Sequence, residues 1–87
     1  MKVYIPTPLR SYTSTSTVEA SGATLAELFR NLDQRYPGIR FRVINEQDEI
    51  RQHIKLFVNQ TAAENLDAPL AGNDTVRIIM AISGGTN

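Results

Sequence analysis

The stretch Thr24-Leu25-Ala26-Glu27-Leu28-Phe29-Arg30-Asn31-Leu32-Asp33-Gln34-Arg35-Tyr36-Pro37-Gly38 decides the class of the fold. Leu25, Leu28, Phe29, Leu32 and Tyr36 recur at helical spacing and make one apolar face. Arg30, Asn31, Asp33 and Gln34 cover the other face. Thr24 and Glu27 match the S/T-x-x-E capping box, in which the hydroxyl accepts from the third helical amide and the carboxylate reaches back. Pro37 ends the helix, because it lacks an amide hydrogen and disfavours helical geometry in the residue before it.

On either side of this helix the period is two. Val3 and Ile5 alternate with Tyr4 until Pro6, which reads as a short strand closed by a proline. Thr7 to Thr17 reads as a connection, with Leu9 and Tyr12 its only large apolar residues. Thr15 to Ala20, β-branched around Val18, predicts a second strand that pairs with the first as a wide-looped hairpin. Ser21-Gly22-Ala23 is a turn. Ile39, Phe41 and Val43 alternate with Arg40 and Arg42, a pattern that fits either a strand or a turn of helix. Asn45 to Glu49 is a polar loop. His53 to Asn59 alternates cleanly, with Ile54, Leu56 and Val58 on one side. Gln60 to Asp74 is polar and broken by Pro69 and Gly72, with Leu66 and Leu70 as candidate anchors. Asp74 to Ile82 is the longest strand candidate, carrying Val76, Ile78, Met80 and Ile82 on one parity.

A lone amphipathic helix must bury its face against the sheet. The expected interior is Val3, Ile5, Val18, Leu25, Leu28, Phe29, Leu32, Ile54, Leu56, Val58, Val76, Ile78 and Ile82. A sheet with one helix on one face leaves its other face open, and Phe57 and Ile79 then point outward from central strands. Apolar residues there mark a docking surface, although isolated exposed apolar residues are also ordinary on proteins.

Composition excludes several classes of chemistry. The 87 residues allow one small domain. With 41% apolar and 21% charged residues the chain does not read as disordered. No apolar run reaches the ~20 residues of a membrane helix. Met1 to Pro6 has no apolar signal-peptide core, so the expectation is a cytoplasmic protein with no membrane partner. The absence of cysteine removes disulfides, thiolate zinc sites and thiol nucleophiles. Nine basic residues balance nine acidic ones, which argues against a phosphate-backbone ligand, and no aromatic cluster offers a stacking platform for nucleic acid. His53, the single histidine, has no cysteine nucleophile to serve and no serine in an elbow context, so it reads as a surface or structural residue. The hydroxyl-rich run Thr13 to Thr17 is accounted for by turn chemistry. Arg35, Arg40 and Arg42, followed by Glu46, Asp48 and Glu49, read as a balanced solvated surface, with a basic docking spot as the alternative.

The ββαββ order, ending in a strand that runs into Ser83-Gly84-Gly85, resembles the ubiquitin-like β-grasp fold and, more closely, the ThiS/MoaD-like sulfur carrier proteins. The matching segments span the chain: Ile5-Pro6-Thr7-Pro8-Leu9-Arg10, Ser21 to Leu28, Tyr36-Pro37-Gly38-Ile39-Arg40, Ile54 to Asn59, Pro69-Leu70, Gly72-Asn73-Asp74, and Val76-Arg77-Ile78. The resemblance implies an α+β fold, a mixed sheet with one main helix on one face. It divides the chain into a domain at 1–83 and a flexible Gly-Gly tail at 84–87. Gln60 departs from the glycine usual after Val-Asn in this branch, which puts the turn there in doubt.

The resemblance also implies a function without a side-chain catalyst. In the family the reactive group is the carboxylate of the second glycine, here Gly85. A ubiquitin-activating-type adenylyltransferase activates it with ATP, a sulfur donor enzyme supplies the sulfur of a thiocarboxylate, and a biosynthetic enzyme accepts it. The chain itself then binds no cofactor. Adenylation suits the chemistry, because an ionised carboxylate is a poor electrophile, and glycine suits a tail that must thread a narrow channel. Ala81, Ile82 and Ser83 carry the tail away from the domain. Thr86-Asn87 follow Gly85, and an amide carbonyl cannot be adenylated in the same way. The resemblance therefore implies a masked form, cut between Gly85 and Thr86 by a JAMM-type zinc peptidase. The acceptor pathways open to such a carrier are sulfur amino acids, siderophore-type natural products, molybdenum-cofactor precursors and thiamine thiazole. The alternative is a ubiquitin-like protein modifier or a passive β-grasp binding module.

Overall fold

The computed structural model describes residues 1–81. The chain runs through β1 (Lys2–Tyr4), a 3-10 turn (Thr7–Leu9), α1 (Arg10–Thr13), β2 (Thr17–Glu19), α2 (Leu25–Arg35), α3 (Ile39–Val43), β3 (Ile54–Val58), β4 (Thr61–Ala63) and β5 (Thr75–Met80). The strands form one mixed sheet in the order β2-β1-β5-β3-β4. β5 lies at its centre, parallel to β1 with Val3 opposite Val76, and antiparallel to β3 with Leu56 opposite Ile78. The expected β1–β2 hairpin is present, Val3 facing Val18.

α2 forms where its sequence predicts. Leu25, Leu28, Phe29 and Leu32 are completely buried, and burying each such side chain is worth roughly 1.5–3 kcal/mol. The Thr24 hydroxyl accepts from the Glu27 amide at 3.3 Å, and Glu27 Oε1 reaches back to the Ala23 amide at 2.6 Å. The remaining first-turn donors are satisfied from far along the chain: the amide of Leu25 donates to the Ala68 carbonyl at 3.2 Å and that of Ala26 to the Leu66 carbonyl at 3.0 Å. A helix start leaves such amides without helical partners, and here a loop near the end of the sequence supplies them. Gly22 lies against the same turn. A Cβ there would stand 2.5 Å from the Leu28 nitrogen, so glycine is required by close approach. At the other end Gly38 adopts φ 98, and Asp33 Oδ1 accepts from the amides of Gly38 and Arg40, both at 3.1 Å.

Several expectations are corrected. The connection after β1 is helical: Pro8 sits in the first turn of the 3-10 segment, where a missing amide costs nothing, and Leu9 is fully buried. Of the two readings open for Ile39–Val43, strand or turn of helix, the helix is the one formed, so Ile39 and Val43 turn inward at i, i+4 while Phe41 faces solvent. The stretch after Gln60 contains a fifth strand, β4, paired through Phe57 opposite Ala62. Leu66 is a buried anchor, and Leu70 packs partly buried against the core. Val58, placed in the interior from its parity, is only half-buried beside the β3–β4 turn. In that turn the left-handed residue is Asn59, at φ 56. Asparagine tolerates this conformation, and Gln60 is not called on to adopt it. Ile82 and the 83/84 domain limit lie outside the described residues.

The start of β5 is tied down by one polar cluster. Asn59 Nδ2 donates to Asp74 Oδ1 at 3.0 Å, and the Thr75 amide donates to Asn59 Oδ1 at 3.0 Å. The Ala71 amide donates to Asp74 Oδ2 at 2.8 Å. The Ala71 bond first, and the Asn59 bond second, hold the Asp74 carboxyl below its ordinary value of 3.8.

Leu28→Ala should destabilise the domain by about 2–5 kcal/mol in denaturant unfolding, and Val58→Ala by distinctly less, in line with their different burial. Because folding lowers the pKa of Asp74, its ionised form favours the fold above the ordinary value, and this contribution fades as pH falls through the folded pKa. Asp74→Asn should therefore lower stability at neutral pH and flatten the loss of stability as pH falls below about 4, as read by melts from neutral to strongly acidic pH.

Candidate functional site

The site is defined by where β5 stops. β5 is flanked by β1 and β3, and the Ala81 amide donates to the His53 carbonyl at 2.8 Å. The backbone is therefore held by sheet bonds up to Ala81, and the base of the C-terminal segment has a fixed position and direction. Ser83, Gly84, Gly85 and Thr86, which carry the expected activation and cleavage sites, lie outside the described residues.

Register places the surroundings of this point. On the open face one row crosses all five strands: Thr17, Tyr4, Arg77, Phe57 and Ala62. The Arg77 guanidinium stacks over the Tyr4 ring at 4.2 Å, and the Lys2 ammonium stands 5.9 Å from the same ring. Such stacking covers apolar surface with cations while leaving the charges in water. Closer to the tail, Ile79 sits opposite Lys55 and is 47% exposed. Ile79 is diagonal to Phe57 across β5 and β3, which is within reach for long side chains.

Beside Ile79 the surface dips into a groove of about 410 Å³, walled by Tyr4, Pro6, Pro8, Arg10, Ile79 and Met80. Its rigidity has a local cause. The two prolines fix their φ angles, and Arg10 Nε donates to the Ile5 carbonyl at 3.1 Å, which sets the rim. The groove is mostly apolar, opens to solvent, and lies on the β1 side of the tail's base.

Of the residues expected for docking, Ile79 and Ala81 are exposed and Phe57 is half-buried beside Arg77. Ile79 and Phe57 share the open face, and Ala81 continues β5 beyond them. Tyr4, Pro6, Pro8 and Met80 were not read from the sequence as part of the site. The parity of Tyr4 against Val3 and Ile5 does place it on the open face; what the sequence lacks is that β1 is β5's neighbour.

Little side-chain chemistry is available. Among the described residues no group of three or more His, Cys, Asp and Glu is arranged to hold a metal. His53 is exposed. No described helix is long and apolar enough to cross a membrane. The arrangement offers recognition surfaces around a chain end.

Known proteins share both sequence and architecture. The family model described as the ThiS family matches residues 3–85. The sulfur carrier protein CysO of Mycobacterium tuberculosis is 33% identical over an 89-residue alignment covering 95% of this chain and 96% of that protein. The crystal structure of the M. tuberculosis CysO superposes with a TM-score of 0.87, covering 93% of this chain and 98% of that one. A chain of the Amycolatopsis orientalis BexX/CysO complex superposes with a TM-score of 0.89 at 34% identity, covering 97% of this chain and 98% of its own length. The small archaeal modifier protein 1 (SAMP1) of Haloferax volcanii gives 0.79 at 26% identity, covering 98% of both chains. With a mixed β-grasp sheet, α2 on one face, and a family match over nearly every residue, the chain belongs to the ThiS family.

Proposed function

We propose that this chain is a sulfur carrier that works as the co-substrate of partner enzymes. The observation that carries the reading is the position of Gly84-Gly85 in the sequence: they follow, within a few residues, a central strand paired to β1 at Thr75–Arg77 and to β3 from Val76 to Met80. The full-length match to proteins named sulfur carriers supports it further.

In this reading a JAMM-type zinc peptidase hydrolyses the Gly85–Thr86 amide, which frees the Gly85 carboxylate and the dipeptide Thr86-Asn87. A ubiquitin-activating-type adenylyltransferase then joins that carboxylate to the α-phosphorus of ATP and releases pyrophosphate. Hydrosulfide released by a donor enzyme attacks the acyl carbon, the C–O bond to AMP breaks, AMP leaves, and a thiocarboxylate remains. The chain's own residues contribute by holding the base of the tail and presenting Ile79, Phe57, Ala81 and the Tyr4–Pro6–Pro8 groove to the enzyme. The likeness to a chain of a BexX/CysO complex supports a protein partner for this domain. Sulfur-amino-acid or natural-product synthesis is the proposed destination of the sulfur. The work takes place in the cytoplasm, where ATP is available.

A second reading is favoured by the likeness to SAMP1, a modifier protein. The same activated Gly85 would then be transferred to an amine of a target protein.

ATP–pyrophosphate exchange with the adenylating partner should appear only when Gly85 is the last residue, and the 87-residue chain should be silent until the peptidase has trimmed it. Mass spectrometry of the trimmed and charged product separates the two readings, since a thiocarboxylate replaces one oxygen by sulfur whereas a modifier appears as adducts on other proteins. Gly85→Ala should leave the melting temperature unchanged and lower exchange about tenfold or more, equivalent to ~1.4 kcal/mol in the barrier. Ile79→Asp should also fold normally, because surface changes move stability by only about 0.5 kcal/mol, but it should raise the KM for the carrier.

A further inference from the structure

The opposite flank of the tail's base carries a second surface, different in character from the apolar groove. Phe41, Arg42, Arg51 and His53 line a shallow recess of about 330 Å³. Phe41 is 52% exposed on α3, turned away from the interior that Ile39 and Val43 occupy. The Arg51 guanidinium lies over the Phe41 ring at 4.5 Å, and Arg51 Nε donates to the Phe41 carbonyl at 2.7 Å. These two contacts hold the guanidinium plane, and among the described residues neither terminal nitrogen has an acceptor. Arg42 is exposed, with only a 3.5 Å contact to the Tyr12 hydroxyl. Among the described residues the ion pairs are Met1 with Glu19 and Arg40 with Asp48, so none of Arg42, Arg51 and His53 has a carboxylate within 4.0 Å. The nearest arginine in sequence, Arg40, does have one.

We infer that the Phe41–Arg42–Arg51–His53 recess is a docking site for an acidic segment of the adenylating partner, a carboxylate seated on the Arg51 fork and an apolar side chain on the Phe41 ring. Two observations select this occupant. A pre-held guanidinium with two free nitrogens fits a carboxylate through parallel hydrogen bonds, and an exposed aromatic ring beside it adds apolar contact. The recess also adjoins the tail: His53 accepts from Ala81, where β5 ends. From residue 82 to residue 85 the chain can reach at most about 13–14 Å, so an enzyme that holds the Gly85 carboxylate must lie against the residues around its base. One aromatic ring in a chain of zero net charge is a poor nucleic-acid platform. This inference rests on the carrier reading above.

The test compares wild type with Arg42→Glu/Arg51→Glu. Affinity for the adenylating partner is measured on the 87-residue chain, and pyrophosphate exchange on chain trimmed to Gly85. Circular dichroism checks that both fold alike, and Arg51→Lys separates charge from fork geometry. Charge reversal is expected to weaken binding at least tenfold at low salt and raise the KM with little change in kcat. The gap should shrink severalfold in about 0.5 M salt, and Arg51→Lys should fall between. If the folded double variant binds and exchanges like wild type, the docking site is refuted while the carrier reading stands. If trimmed wild type gives no exchange, the carrier reading fails and takes this inference with it. If the only change is weaker retention on a single-stranded oligonucleotide, the recess contacts nucleic acid and the inference is wrong.

Discussion

The double pairing of β5 is the constraint on which the rest depends. Its inward residues Val76 and Ile78 are buried in the one core that also holds the apolar face of α2, with β1 paired along Thr75–Arg77 and β3 along Val76–Met80. Its parallel bond to β1 joins Val3 to Val76, nearly the whole chain apart. β5 can be central only if the connection from β4 crosses β3, and that connection is fixed by giving the Leu66 and Ala68 carbonyls to the first amides of α2. Sheet order, helix start and the long loop are therefore one cooperative arrangement, and the direction in which the chain leaves the domain follows from it.

The parts legible in the sequence are those decided by local periodicity. α2 declared itself through its apolar spacing, the Thr24–Glu27 pair and Pro37, and the final strand through the parity of Val76 and Ile78. The missing parts depend on distant partners or on segments too short to show a period. Arg10–Thr13 and Ile39–Val43 are each barely a turn long, and the alternation of Ile39, Phe41 and Val43 satisfies either period until the core selects i, i+4. β4 consists of Thr61, Ala62 and Ala63, which are exposed or half-buried and so leave no apolar trace. The capping role of Leu66 and Ala68 is played by backbone carbonyls, about which side-chain identity says nothing.

The same division applies to the site. Ile79 could be placed on the open face from β5 alone, and register gives Phe57 its position diagonal to it. The groove formed with Pro6 and Pro8 needs the knowledge that β1 lies beside β5. Arg51, in the loop before β3, and Phe41, on α3, are ten residues apart, and only the fold stacks them. A chain end with an apolar groove on one flank and an arginine-capped ring on the other presents a two-sided address. A partner can be chosen by both sides without any side chain of this domain taking part in bond making, which is consistent with a sequence that lacks cysteine and has one exposed histidine.

Among the described strands the central one is also the last to be made. A ribosome releases β1, β2, α2, β3 and β4 before β5, and until Thr75–Met80 clears the exit tunnel β1 and β3 have no strand between them and the helix has an incomplete floor. Nascent domains usually fold as units once complete, and pairings between distant residues form slowly. Translation thus holds the domain open until Thr75–Met80 has been synthesised, so a product truncated before β5 would lack the strand that joins β1 to β3.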